Sequence, residues 1–287
     1  MKKIVVFFSA FFLLFVPVHA QETATIEVEE QQTTETTSTL KTDTIWEKAR
    51  LDEEIATVKA TYQTQLETYL YQDKLYRIAY DQRAELQTLV SIEDLTQKAK
   101  TLGVYRDDVL ISYLDLLRLN LVATEGIELT LKAEYLSKLE TTITYLENHQ
   151  ENLKNLNDRD QVSLSLTTFA TDQKSVQKLA EGTLVLLSVG NLQMIYDKAV
   201  VLKDDIDLYL ENEGTLSLPA IERASVETDS SLNSAKLKLD DFWNGLVEHD
   251  RTTWSVGFLY DSLPSTMNPT YVNLSQSLSY LDELLSI

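Results

Sequence analysis

The chain contains no cysteine in its 287 residues, which excludes disulfides, thiolate zinc sites, iron–sulfur clusters and thiol nucleophiles. Stability has to come from packing instead. Proline is almost as scarce, occurring only at positions 17, 219, 264 and 269, so positions 18 to 218 carry none. Glycine is confined to 103, 126, 182, 190, 214, 245 and 257. A β-rich protein of this length would need far more turn residues. Positive charge is also in deficit: 25 Lys and Arg face 45 Asp and Glu, for a net charge of −20. Nucleic acids and anionic lipid surfaces require clustered Lys and Arg, so both are unfavourable partners. Histidine occurs three times and never with zinc-ligand spacing, and no HExxH is present. GxGxxG, GxxxxGK[ST] and GxSxG are absent as well. The sequence therefore predicts no cofactor, no metal and no signature nucleophile.

What is present begins with a basic Met1-Lys2-Lys3, an apolar run from Ile4 to Val16 broken only by Ser9, and Val18-His19-Ala20 before Gln21. That order is the layout of a secretory signal peptide cleaved after Ala20, and the run is shorter than the roughly 20 residues of a spanning helix. Cleavage would lower the basic count from 25 to 23 against 45 acidic residues, a net charge of −22. Residues 21–43, rich in Thr, Glu and Gln, have too little apolar surface to offset ordering entropy and read as a disordered linker. The expected location is outside the cytoplasm: periplasmic, cell-surface or extracellular, with no permanent membrane span after signal cleavage.

From Thr44 onward the apolar residues recur at spacings of three and four. One stripe is Ile55, Val58, Tyr62, Leu66, Tyr69, Asp73, Tyr76 and Tyr80. A second is Leu129, Lys132, Leu136, Leu139, Ile143, Leu146, Gln150 and Leu153. A third is Val162, Leu166, Phe169, Gln173, Val176, Ala180 and Leu184. Each places its apolar side chains on one helix face, with near-heptad spacing. Gly103, the polar turn at 155–160 with Asp158 as cap, and Gly214 divide residues 44–212 into three arms of similar length, 44–102, 105–156 and 159–212. Ser91-Ile92-Glu93-Asp94, as a capping box, and Gly126 are further points where a long helix could break. Ser217-Leu218-Pro219 starts another helix, and Asn268-Pro269 is expected to open the last one. The predicted fold is all-α: an elongated, mostly antiparallel long-helix bundle with coiled-coil-like packing, with residues 213–287 packed on the same bundle.

Four features invite a functional reading. Residues 239–261 gather Asp240, Asp241, Trp243, Glu248, His249, Asp250, Arg251, Trp254 and Tyr260. Paired carboxylates beside aromatics suit glycan cleavage or a partner contact, but helical spacing of Phe242, Trp243, Leu246 and Val247 favours core packing. Tyr62, Tyr69, Tyr76 and Tyr80 form a tyrosine stripe suited to a bundle rim or, if exposed, to a protein or glycan surface. Residues 183–201 are the most apolar helical stretch after the N-terminal run and read as bundle core, with stored membrane insertion as the competing reading. Asp204, Asp205, Asp207, Glu211 and Glu213 read as a solvated acidic face. The sequence thus points to a non-enzymatic structural or interaction protein, with Tyr62, Tyr69, Tyr76, Tyr80, Trp243, Trp254 and Tyr260 as candidate partner contacts. Its expected partner is another envelope or extracellular protein, or a second copy through helix association. A secreted helical pore-forming or membrane-remodelling effector is the alternative, and a cell-wall glycan-active enzyme comes third.

Overall fold

The structure is a computed structural model. It describes the backbone of residues 35–213, 218–251 and 256–286, and the side chains of 46–213, 218–245 and 260–286. The expected signal peptide, the start of the expected linker, and Trp254 lie outside the described residues. So do the side chains of Glu248, His249, Asp250 and Arg251. The chain divides into two compact units, residues 1–44 and 45–287. Everything below concerns the second unit, except that its first helix begins earlier, within the Thr/Glu-rich segment.

Every described element is a helix: α1 (Glu35–Leu86), α2 (Leu89–Ala123), α3 (Leu129–Asn155), α4 (Arg159–Asn212), α5 (Pro219–Arg251) and α6 (Val256–Ser286). The fold is therefore an all-α helical bundle. The stripes read from the sequence account for much of the burial, although Leu129 at the head of the second stripe is exposed. Leu139, Leu146, Gln150 and Leu153 of α3 are buried, as are Val162, Phe169, Val176 and Leu184 of α4. In α1 the stripe is half-buried, and Tyr62 meets Tyr113 of α2 with ring centroids 5.6 Å apart.

Helix α4 organises the rest. Its first half packs with α2 and α3, and its second half packs with α5 and α6. Along the first half, α3 runs antiparallel to both neighbours. Lys100 of α2 donates to the Leu156 carbonyl at 2.6 Å, and Tyr145 of α3 donates to Asp172 of α4 at 2.5 Å. Along the second half, Ala199, Ile206 and Leu210 of α4 form one core with Ile221, Ala224, Leu232 and Ala235 of α5 and Leu274, Leu281 and Leu284 of α6. At 1.5 Å per residue, the 54 residues of α4 extend for about 80 Å, enough to serve both halves.

The joint between the halves is the stretch that reads as most apolar. Glu181 to Leu187, Val189 and Gly190 are all buried. Here the α2–α3 turn presses onto α4. A Cβ on Gly126 would stand 2.1 Å from the Gly190 carbonyl oxygen, and a Cβ on Gly190 would stand 2.4 Å from Ile127 Cγ1. Both glycines are required by this backbone approach. α4 is, among the described residues, the one helix long and apolar enough to cross a membrane; in this fold the first part of its apolar stretch, residues 181–190, is packed against protein, and the part from Asp197 to Leu202 is largely exposed.

Several boundaries differ from the sequence reading. Gly103 caps nothing. It sits inside α2, buried, where a Cβ would come within 2.6 Å of Leu153 and 2.7 Å of Leu166. Close helix approach, not a left-handed terminus, explains that glycine. The first arm ends instead at Gln87, which takes φ 49° and donates its N–H to the Arg83 carbonyl at 3.2 Å. This is the left-handed helix stop usually made by glycine. The capping box lies three residues earlier than expected. Thr88 is the N-cap of α2, its hydroxyl accepting from the Ser91 N–H at 3.2 Å while Ser91 Oγ accepts from the Thr88 N–H at 3.0 Å. Asp158 caps α4 as read, accepting from the Gln161 N–H at 3.0 Å. Asn268 does not open a helix. α6 continues through Pro264 and Pro269, because buried Met267, Thr270 and Leu274 hold it in place and Ser265 and Thr266 hydroxyls donate to the Ser262 carbonyl.

Candidate functional site

The residues singled out in the sequence do not converge on one site. Tyr62 and Tyr69 are half-buried between α1 and α2, and Tyr69 lies in the fields of Asp73 and Arg106. Burial pushes the Tyr62 hydroxyl up to about 12. Tyr76 is half-buried and stacks obliquely with Tyr80 at 6.4 Å, and Tyr80 is exposed. Trp243 is half-buried, donates to Gln193 Oε1 of α4 at 3.2 Å, and meets Phe242 edge-on. Tyr260, at the start of α6, lies near Tyr113 and Glu181, and burial raises its pKa. Asp240 and Asp241 face Lys236 and Lys238 at 3.2 and 4.0 Å. These contacts make Trp243 and Tyr260 packing residues at the joint and leave Tyr80 as the exposed member of the stripe. Within the acidic cluster, Asp207 pairs with buried Lys203, which also lies 3.4 Å from Asp229 of α5. Among the described residues, no three His, Asp or Glu side chains converge as a metal site.

Two features do concentrate chemistry. The first is a polar network between α2, α3 and α4. Asp107 of α2 is fully buried. Its Oδ1 accepts from Arg106 Nε at 3.0 Å and Nη2 at 2.7 Å, and its Oδ2 accepts from His149 Nδ1 at 2.6 Å. The carboxylate therefore fixes the proton of the ring on Nδ1, leaving Nε2 as the acceptor. Ser165 of α4 stands 3.0 Å from that nitrogen, its hydroxyl donating to it. The His149 ring packs at 5.3 Å from Phe169 and 6.4 Å from Tyr145, and the Arg106 guanidinium covers the Phe169 ring at 3.4 Å. One turn along, Gln150 donates to the Val104 carbonyl at 3.2 Å and to Asp108, and accepts from Lys154 at 2.7 Å. Burial, reinforced by its hydrogen bond to Asp172, pushes the Tyr145 hydroxyl up to about 12. Helix register alone brings these groups together. Asp107, His149 and Ser165 are far apart in sequence, and the one local hint is a histidine and a glutamine at the polar end of an apolar stripe.

The second feature is the α1–α2 turn. Leu86, Leu89 and Val90 are 63%, 80% and 75% exposed around the left-handed Gln87 and the Thr88 cap. Behind them on α1, Tyr71, Ile78 and Tyr80 are also exposed. Three large apolar side chains within five residues are thus exposed to water around a capped turn. The sequence marked a possible helix break three residues on, at Ser91-Ile92-Glu93-Asp94, but nothing in it singled out Leu86, Leu89 and Val90 as exposed. No protein-family model, curated protein or solved structure matches the chain.

Proposed function

We propose that the chain is an exported structural or protein-interaction helical bundle of the cell envelope or exterior, and that the α1–α2 turn is its principal contact point. The observation that carries this is the exposed trio Leu86, Leu89 and Val90. Burying such side chains against a partner contributes about 1.5–3 kcal/mol each, while leaving them in water contributes nothing to the fold. The turn is preorganised by its reciprocal cap, so little ordering entropy opposes docking. The partner is a protein with an apolar recess. A lipid surface is disfavoured because the net charge is −20 and Glu85, Glu93 and Asp94 flank the turn. The tripartite N-terminus supports a partner outside the cytoplasm.

A photo-crosslinking side chain placed at Val90 in the native cell tests this. The expected product is a single discrete adduct with one exported protein, lost when Leu86 and Leu89 are both replaced by Ser and absent when the same probe replaces exposed Asp205 of α4. Adducts of equal yield and pattern from both positions, or none from Val90, would contradict the reading.

A further inference from the structure

We propose that Ser165, His149 and Asp107 form a nucleophilic serine site that accepts the acyl group of small activated esters. This chemical activity stands apart from the contact role of the α1–α2 turn. Three helices each supply one member, and the order of atoms is the one nucleophilic activation requires. The Asp107 carboxylate holds His149 Nδ1 at 2.6 Å, and His149 Nε2 receives the Ser165 hydroxyl at 3.0 Å. Asp107 is fully buried and has its second oxygen occupied by Arg106, so it cannot turn away from the ring. His149 is also clamped between Phe169 and Tyr145. Ser165 itself is half-buried on α4.

The step balances without any added oxidant or reductant. Ser165 Oγ attacks the ester carbonyl as its proton passes to His149 Nε2. The tetrahedral adduct collapses, the ester C–O bond breaks, and the leaving alkoxide takes that proton from the imidazolium. Water then attacks the acyl-serine, its proton moving through His149 to Ser165 Oγ as the carboxylic acid leaves. Asp107 stabilises the imidazolium in both halves. Ser165 lies within α4, where the surrounding amide N–H groups are committed to helix bonds, so general-base activation supplies the acceleration without a backbone oxyanion hole. That limits the substrate class to esters with good leaving groups and the expected enhancement to about 10²–10⁴ over water.

The test is labelling of the folded, full-length protein with a fluorophosphonate probe and mapping of the adduct by mass spectrometry, together with hydrolysis of p-nitrophenyl acetate. The expected adduct is on Ser165. Labelling and hydrolysis should fall at least tenfold in Ser165→Ala and in His149→Gln, each with a helical circular dichroism spectrum matching the unmodified protein. Ser163→Ala, which changes an exposed hydroxyl one turn-face away, should label as the parent does. A purely structural network would leave the hydroxyl as inert as any other serine. Absence of a Ser165 adduct in the unmodified protein, or labelling that persists in folded His149→Gln, would overturn the proposal.

Discussion

Asp107 shows how much of this fold depends on single polar groups. It is buried with a cation on one oxygen and an imidazole on the other, joining α2 to α3, and through Ser165 to α4. Removing one partner from such a network leaves the others desolvated and unpaired, which costs more than the pair contributes. Asp107→Ala should therefore destabilise the protein by about 3–5 kcal/mol in urea unfolding. Exposed Asp205→Ala, on the acidic face of α4, should stay within about 0.5 kcal/mol. A cost below 1 kcal/mol for Asp107→Ala would mean that the network is incidental. At this scale little was legible in advance. Gln150 and Leu153 stood in a readable apolar stripe, and Gln150 is indeed buried. Asp107 could not be identified from the sequence, because the burial of an aspartate depends on which cation and imidazole other helices bring to it. Lys132 has the same character: it donates to the Val122 and Thr124 carbonyls at 2.8 Å, satisfying the end of α2 from α3.

Among the elements, helix faces were legible and helix ends were only partly so. The stripes of α3 and α4 follow from side-chain periodicity, which is a local property of the chain. The stop at Gln87 does not, because a glutamine in the left-handed region is chosen by the hairpin it closes and not by its own preference. Glycine misled for a related reason. Three glycines sit where a Cβ would clash: Gly103 under the side chains of Leu153 and Leu166, Gly126 against the Gly190 backbone, and Gly190 against the side chains of Ile127 and Thr124. This yields a paired prediction. Gly126→Ala sets a Cβ 2.1 Å from a backbone oxygen that cannot withdraw, so it should lower stability by about 1–3 kcal/mol. Gly245→Ala, in α5 with open space around it, should raise stability by about 0.5–1 kcal/mol through helix propensity and loss of unfolded-state freedom. Thermal unfolding of the two variants should move in opposite directions. A shift of the same sign in both would show that the α2–α3 turn does not rest on α4 as described.

For the folded unit of residues 45–287, the central claim is that the apolar stretch of α4 is the packed joint between two helical halves and not a segment held ready for a bilayer. The sequence allowed both readings, since length and hydropathy are the same for a core helix and a spanning one. What separates them is burial on every side, with Leu184, Val185, Leu186, Leu187 and Val189 all covered, and that depends on α2, α3, α5 and α6 arriving together. Such a joint belongs to the part of the fold that opens only when everything opens. Amide hydrogen exchange over residues 181–190, measured with and without anionic liposomes at neutral and acid pH, tests this most directly. The account predicts that these amides are the slowest in the protein, exchange with the free energy of global unfolding, and do not change when liposomes are added. Exchange through a low-energy local opening, or protection that shifts on contact with lipid while the remaining helices stay folded, would contradict it.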